Sequence, residues 1–218
     1  MMADERPLPE RLLAVATRLF AENGYEGTSV QEIVRAAGVT KGAMYHYFAA
    51  KDDLLYEIYH RLLALQTERL RRFAGGAGPA EERLRAAAVD VIETSVAHLD
   101  ELTVFFRSMH LLPAEKQKAV RAERRRYHEC FRALVEEGQR EGTFRAGVPA
   151  DLAVNFFFGA VHQLSTWWHP DGSLGAAAVG DYYVGLFLDG LREGGEPSGP
   201  GEGGVVRDGP GGDGAPGR

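Results

Sequence analysis

Residues 24–48, GYEGTSVQEIVRAAGVTKGAMYHYF, carry punctuation that leaves the chain few choices. Ser29 is followed three residues later by Glu32. In that spacing a hydroxyl caps the first turn of a helix while the carboxylate reaches back to the serine N–H. A short helix therefore starts at Ser29 and buries Val30, Ile33, Val34 and Ala37. Gly38 can take the left-handed conformation that stops it, and Thr40 is placed to cap a further helix over 41–48. Two short helices about a three-residue turn make a helix-turn-helix unit. The third helix of such a unit lies just upstream. Leu8, Leu12, Val15, Ala16, Leu19 and Phe20 recur at three- and four-residue steps, giving an amphipathic helix over 9–23 that Gly24 ends.

The remainder reads as helix throughout, and nothing reads as a strand. An amphipathic run over 51–73 is long enough to link two domains. It gives way at AGGAGP, 74–79, and periodicity resumes over 80–98 and 101–111. Pro113 suits the opening turn of a long helix that runs to Glu141 and stops at Gly142. After a loop, one apolar helix is expected over 150–168. The turn His169-Pro170-Asp171-Gly172 follows, and then a last helix over 174–192 capped by Ser173. The expected fold is all-α, about nine helices in two domains, 6–66 and 67–192. Residues 193–218 are expected to form a disordered tail: the last 25 residues hold eleven of the 27 glycines and four of the ten prolines. Gly199-x-Gly201-x-x-Gly204 and Gly209-x-Gly211-x-x-Gly214 match a dinucleotide fingerprint, but with no strand before or helix after them they are accidents of composition.

Several functions are disfavoured. No Gly-x-Ser-x-Gly elbow, His-Glu-x-x-His pair or P-loop points to an enzyme. Cys130 is the lone cysteine, so neither an internal disulfide nor a multi-cysteine metal site is available, and no metal or cofactor is expected. With no apolar run of membrane length and no signal-like N-terminus, a cytoplasmic protein without a membrane partner is expected. The formal net charge of −6 argues against nucleic acid, and residues 1–56 themselves hold six basic against eight acidic groups. Any DNA reading must rest on where particular residues fall.

The helix over 41–48 meets the demands on a groove-reading helix. Met44 and Phe48, four apart, face inward, which turns Lys41, Gly42, Ala43, Tyr45 and His46 outward. Tyr47 and Phe48 are read as core aromatics. Gly42 and Ala43 are small enough for the helix to enter a major groove. Helices starting at Ser29 and Lys41 also offer free N–H groups to phosphate, which lessens the need for basic side chains, so a modest salt dependence is expected.

The segment GYEGTSVQEIVRAAGVTKGAMYHYFAAKDDLL resembles the TetR family of bacterial regulators, including its aromatic-His-aromatic-Phe end and the Lys three residues beyond. The likeness runs from about residue 6 to 65. It implies that Thr40, Lys41, Gly42, Ala43, Tyr45 and His46 face operator DNA, that Thr28, Tyr45 and Lys51 engage phosphates, and that the protein is a repressor. Lys41 is the best placed for a guanine contact. A helical adaptor that binds only protein is the rival from another class, and it has no reason to display Lys41, Tyr45 and Lys51 together.

The larger domain is rich in aromatics, among them Phe105, Phe106, Phe131, Phe157 and Trp167, with Met109 beside them and His110 and His162 interspersed. Core packing with a dimer interface is one reading; a pocket for an apolar effector is the other. The basic run Arg121, Arg124, Arg125 and Arg126 is either a solvated helix face or a receiver of phosphates. VFFRSMHLLPAEKQKAVRAERRRYHECFRALVEEGQREGTFR and LSTWWHPDGSLGAAAVGDYYVGLFLDGL resemble the TetR branch that governs fatty-acid and steroid catabolism. That resemblance implies an acyl-CoA effector, its acyl part against the five rings and its phosphates near Arg121, Arg124 and Arg125. An efflux-type regulator sensing another apolar ligand is the alternative. The resemblance further implies that the last two helices pair with those of a second copy, giving a homodimer on a palindromic operator.

Overall fold

The computed structural model describes residues 6–192; the tail and its two glycine motifs lie outside the described residues. Helices α1 (Leu8–Asn23), α2 (Val30–Ala36) and α3 (Lys41–Tyr47) form the N-terminal unit, and α4 (Lys51–Ala74) leads out of it. Then follow α5 (Ala80–Ala97), α6 (Leu99–Ser108) with a 3₁₀ turn at Met109–Leu111, α7 (Ala114–Arg140), α8 (Ala150–His162), the four-residue α9 (Leu164–Trp167) and α10 (Ala176–Leu191). The architecture is all-α, and the one β-type contact among the described residues is an isolated bridge between Phe144 and Arg192.

The caps expected in the N-terminal unit form. Ser29 Oγ accepts from Glu32 N at 3.2 Å while the Glu32 carboxylate accepts from Ser29 N at 2.7 Å. Thr40 Oγ1 accepts from Ala43 N at 3.1 Å, and Gly38 turns the chain with φ 66°. Arg11 on α1 donates to Ala37 O at 2.8 Å, clasping this turn onto the first helix. Leu12, Ala16 and Phe20 of α1, Ile33 and Val34 of α2 and Met44 of α3 then close a small core on Leu54, Leu55 and Ile58 of α4.

That core is continuous with the larger one, because α4 packs on both sides. Helix α4 also packs on α5 and α7, and α10 packs on α5. The α1–α6 and α4–α6 contacts join the two units directly. Two ties run from α7 to the N-terminal half of α4: Lys116 to Asp52 at 2.6 Å and to Asp53, and Glu123 to His60 at 3.0 Å.

Two boundaries differ from expectation. The helix foreseen over 150–168 breaks at Gln163, where Ser165 and Thr166 hydroxyls donate back to the His162 and Gln163 carbonyls and compete with the helical ladder. The last helix starts at Ala176 behind Gly175, so Ser173 does not cap it. The Leu174 carbonyl instead accepts from Trp168 Nε1 at 3.0 Å, which holds the preceding residues as a loop.

Candidate nucleic-acid interface and effector site

The α2–α3 pair presents one face of α3 outward. Lys41, Gly42, Tyr45 and His46 are exposed, Ala43 is half-buried, and Met44 and Phe48 are buried beneath them. Tyr45 and Tyr47 are 49% and 50% exposed; Tyr47, expected in the core, stands outside with its ring edge-on to His46 at 4.9 Å. On a seven-residue helix with Met44 and Phe48 turned inward, position 47 faces away from the small core. A Cβ on Gly42 would meet nothing closer than Thr40 Oγ1 at 3.8 Å. The fold itself therefore leaves room there, and the bare backbone is open to close approach from outside.

Two residues expected at phosphates are engaged inside the protein. Thr28 is buried, and its hydroxyl donates to Gly24 O at 2.8 Å and Leu19 O at 3.1 Å. Lys51 donates to Tyr25 O at 2.8 Å and Thr28 O at 2.9 Å, with its ammonium 4.1 Å from the Tyr25 ring centroid. Burial pulls the Lys51 pKa down. Lys51 thereby fastens the loop between α1 and α2 to the start of α4, and Thr28 ties the same loop back onto the end of α1. Ser29 and Thr40 stay exposed as caps at the starts of α2 and α3.

The residues expected at an effector divide into three groups. Arg121, Arg124 and Arg125 line an outer cleft of about 500 Å³ along α7, joined by His128 and Arg132 and faced by Asp151 and Asn155 of α8. Arg132 is paired with Asp151 at 3.4 Å; Arg121 donates to Gln117 on its own helix at 2.6 Å. Phe106, Arg124 and His162 line a second, interior chamber with Tyr59, Gln66, Ser95, Tyr127, His128 and Phe158, closed down to about 20 Å³. The remaining expected residues line neither cavity. Phe131 and Phe157 stack on each other at 5.0 Å within a packed group that includes Phe158 and Phe187; Phe105 stacks on Tyr59 beneath the chamber. Trp167 lies outside against Tyr183, and Met109 and His110 sit in the 3₁₀ turn. For Phe131 and Phe157 core packing prevails, because α7, α8 and α10 converge on them.

Arg124 and His128 belong to both cavities. The Arg124 guanidinium lies 5.6 Å and 5.8 Å from the Phe105 and Phe106 ring centroids, within cation–π range. His128 stacks on Phe158 at 4.3 Å. Burial, aided by Arg124, holds its pKa down at about 4 and that of His162 at about 3, so both imidazoles are neutral at pH 7.

Tyr59, Gln66, Ser95, Tyr127, His128 and Arg132 escaped sequence reasoning. The signal for Gln66 and Ser95 was present: each interrupts an apolar helical stripe, Leu62-Leu63 to Leu70 on α4 and Val91-Ile92 on α5.

Two family models match the chain. Residues 12–58 match the family "Bacterial regulatory proteins, tetR family", and residues 77–191 match "Tetracyclin repressor-like, C-terminal domain". The helix-turn-helix unit and the helical domain behind it define a DNA-binding transcription regulator. The chain belongs to the TetR family. It is 28% identical over 187 residues to the HTH-type transcriptional repressor KstR2 of Rhodococcus jostii (strain RHA1), covering 83% of this chain and 89% of that one. Among solved structures, the TetR family regulator PfmR from Thermus thermophilus is similar with a TM-score of 0.77 and 31% identity, over 84% of this chain and 99% of that one. AibR in complex with isovaleryl coenzyme A and operator DNA is similar with a TM-score of 0.74 and 26% identity, over 83% and 97%.

Proposed function

We propose that the protein represses transcription as a homodimer on a palindromic operator and is released by an acyl thioester of coenzyme A. The observation that carries the effector class is the position of Arg124 and His128, shared between a cleft rich in arginine and a chamber walled by aromatic rings. A ligand with an anionic head and an apolar tail has use for both. Its phosphates meet Arg121, Arg124 and Arg125, and its acyl part passes Arg124 to the chamber. The kinship with AibR, crystallised with isovaleryl coenzyme A and operator DNA, supports this class.

On the DNA side, Lys41, Gly42, Ala43, Tyr45 and His46 face the major groove, and the N-termini of α2 and α3, with Ser29 and Thr40, approach phosphates. Thr28 and Lys51 act from inside by fixing the loop. Phe156 and Leu152 of α8 and Leu186 and Tyr182 of α10 are exposed, Leu186 by 73% and Phe156 by 67%, and supply the apolar face on which a second copy packs. Effector entry shifts α7, which is tied to α4 through Lys116 and Glu123, and α4 resets the spacing of the two α3 helices across the dimer. A coupling of about 1–3 kcal/mol is enough for a switch of roughly 5- to 150-fold.

The test is titration of the complex with DNA from upstream of the protein's own gene. Long-chain and aromatic CoA thioesters should release it while coenzyme A and the free acids do not, and Arg124→Gln should raise the thioester concentration needed about tenfold, as expected for loss of a charge-assisted contact. DNA that no thioester releases would overturn the effector class.

A further inference from the structure

The chamber behind Arg124 is not walled as a plain hydrocarbon slot. Gln66 on the buried stripe of α4 reaches Ser95 Oγ on α5 only at 3.5 Å, the outer limit of a hydrogen bond. Tyr127 on α7 is 4% exposed, and its hydroxyl, shielded from solvent, has no hydrogen-bond partner. Buried hydroxyls are nearly always paired, and one left open beside a cavity marks a group held for something else. The chamber thus brings under-used polar groups, from three helices, to one small space whose apolar walls include Leu63, Val91, Phe106 and Phe158.

Resting on the thioester reading above, we infer that the acyl part of the effector carries an uncharged oxygen function, a ketone or a hydroxyl, which Tyr127 reads by hydrogen bonding with Gln66 and Ser95 beside it. Charge on that function is disfavoured. The chamber's two imidazoles are neutral through burial, and its cation, Arg124, stands at the mouth where the phosphates bind. A carboxylate carried inward would lose its hydration without gaining a counter-charge. A tyrosine hydroxyl both donates and accepts, so it serves a ketone or an alcohol equally. At about 20 Å³ the chamber holds no more than a water, so the acyl group enters as Phe106, the partly exposed ring of the lining, turns aside.

Calorimetric titration of the full-length protein with octanoyl-CoA, 7-oxooctanoyl-CoA and 7-hydroxyoctanoyl-CoA tests this. The oxygenated thioesters should bind at least about tenfold more tightly than octanoyl-CoA, since a site built around a polar partner discriminates against the analogue lacking it. Tyr127→Phe should bring that ratio below about threefold, the loss falling on the two oxygenated thioesters, because only the hydroxyl is removed. Gln66→Met should lower the ratio by a smaller factor. A wild-type protein that binds all three equally, as it would if the open hydroxyl merely held a water, overturns the inference alone. So does Tyr127→Phe with its preference intact. Failure of every thioester to bind removes the effector reading and this inference with it.

Discussion

Lys51 and Lys41 lie ten positions apart in one helix-turn-helix unit and are used in opposite ways. Lys51 points into the loop it fastens, whereas Lys41 stands exposed on the first turn of α3. Both are basic residues at helix starts, and the family resemblance assigns both to DNA, Lys41 to a guanine and Lys51 to a phosphate. What separates them is how α4 packs against the α1–α2 loop, which no local pattern encodes. The caps Ser29 and Thr40, by contrast, are legible because a cap depends only on residues three apart. Tyr47 is illegible for lack of a register: two aromatics in succession cannot both face a core, and Phe48 takes that place. Lys41→Ala should weaken operator binding by about 1–3 kcal/mol, the worth of one good base contact, while leaving the melting temperature within a degree or so, because the side chain is exposed. Anisotropy titration and a thermal melt on the same preparation check both halves.

Helices follow from apolar periodicity, and most of their ends from glycine and proline. Periodicity says that a face is buried; it does not say against what. Only the assembled helices show that Phe131 and Phe157 fill the core between α7, α8 and α10, whereas Phe106 borders the chamber. Gly138 near the end of α7 makes the same point. It is unremarkable in sequence, yet a Cβ there would run into the buried Phe144 ring, which packs directly on the α7 backbone. Gly138→Ala should cost about 1–3 kcal/mol through this overpacking, despite alanine's better helix propensity. Denaturant unfolding should show the loss as a lower midpoint, and an unchanged midpoint would contradict the packing described.

Across the whole molecule, acidification should be destabilising through His128 and His162. Their folded-state pKa values, about 4 and about 3, lie below the ordinary histidine value, so the unfolded chain binds protons that the folded chain refuses. Their contribution to stability is complete above about pH 6.5 and is lost as pH falls toward 4. Thermal melts from pH 7.5 to pH 5 should show a falling melting temperature, and His162→Gln should flatten that slope. An identical slope in the variant would mean the imidazole is not held neutral.

The shortage of cations on the DNA-reading unit also has a meaning in the cell. Residues 1–56 carry more acid than base, and of the two lysines there Lys51 is committed internally. Affinity for arbitrary DNA is almost wholly electrostatic, so such a protein lingers little on the chromosome between operators. A larger share of its copies should therefore stay free to find an operator. The regulator's economy thus lies in what α3 does not carry.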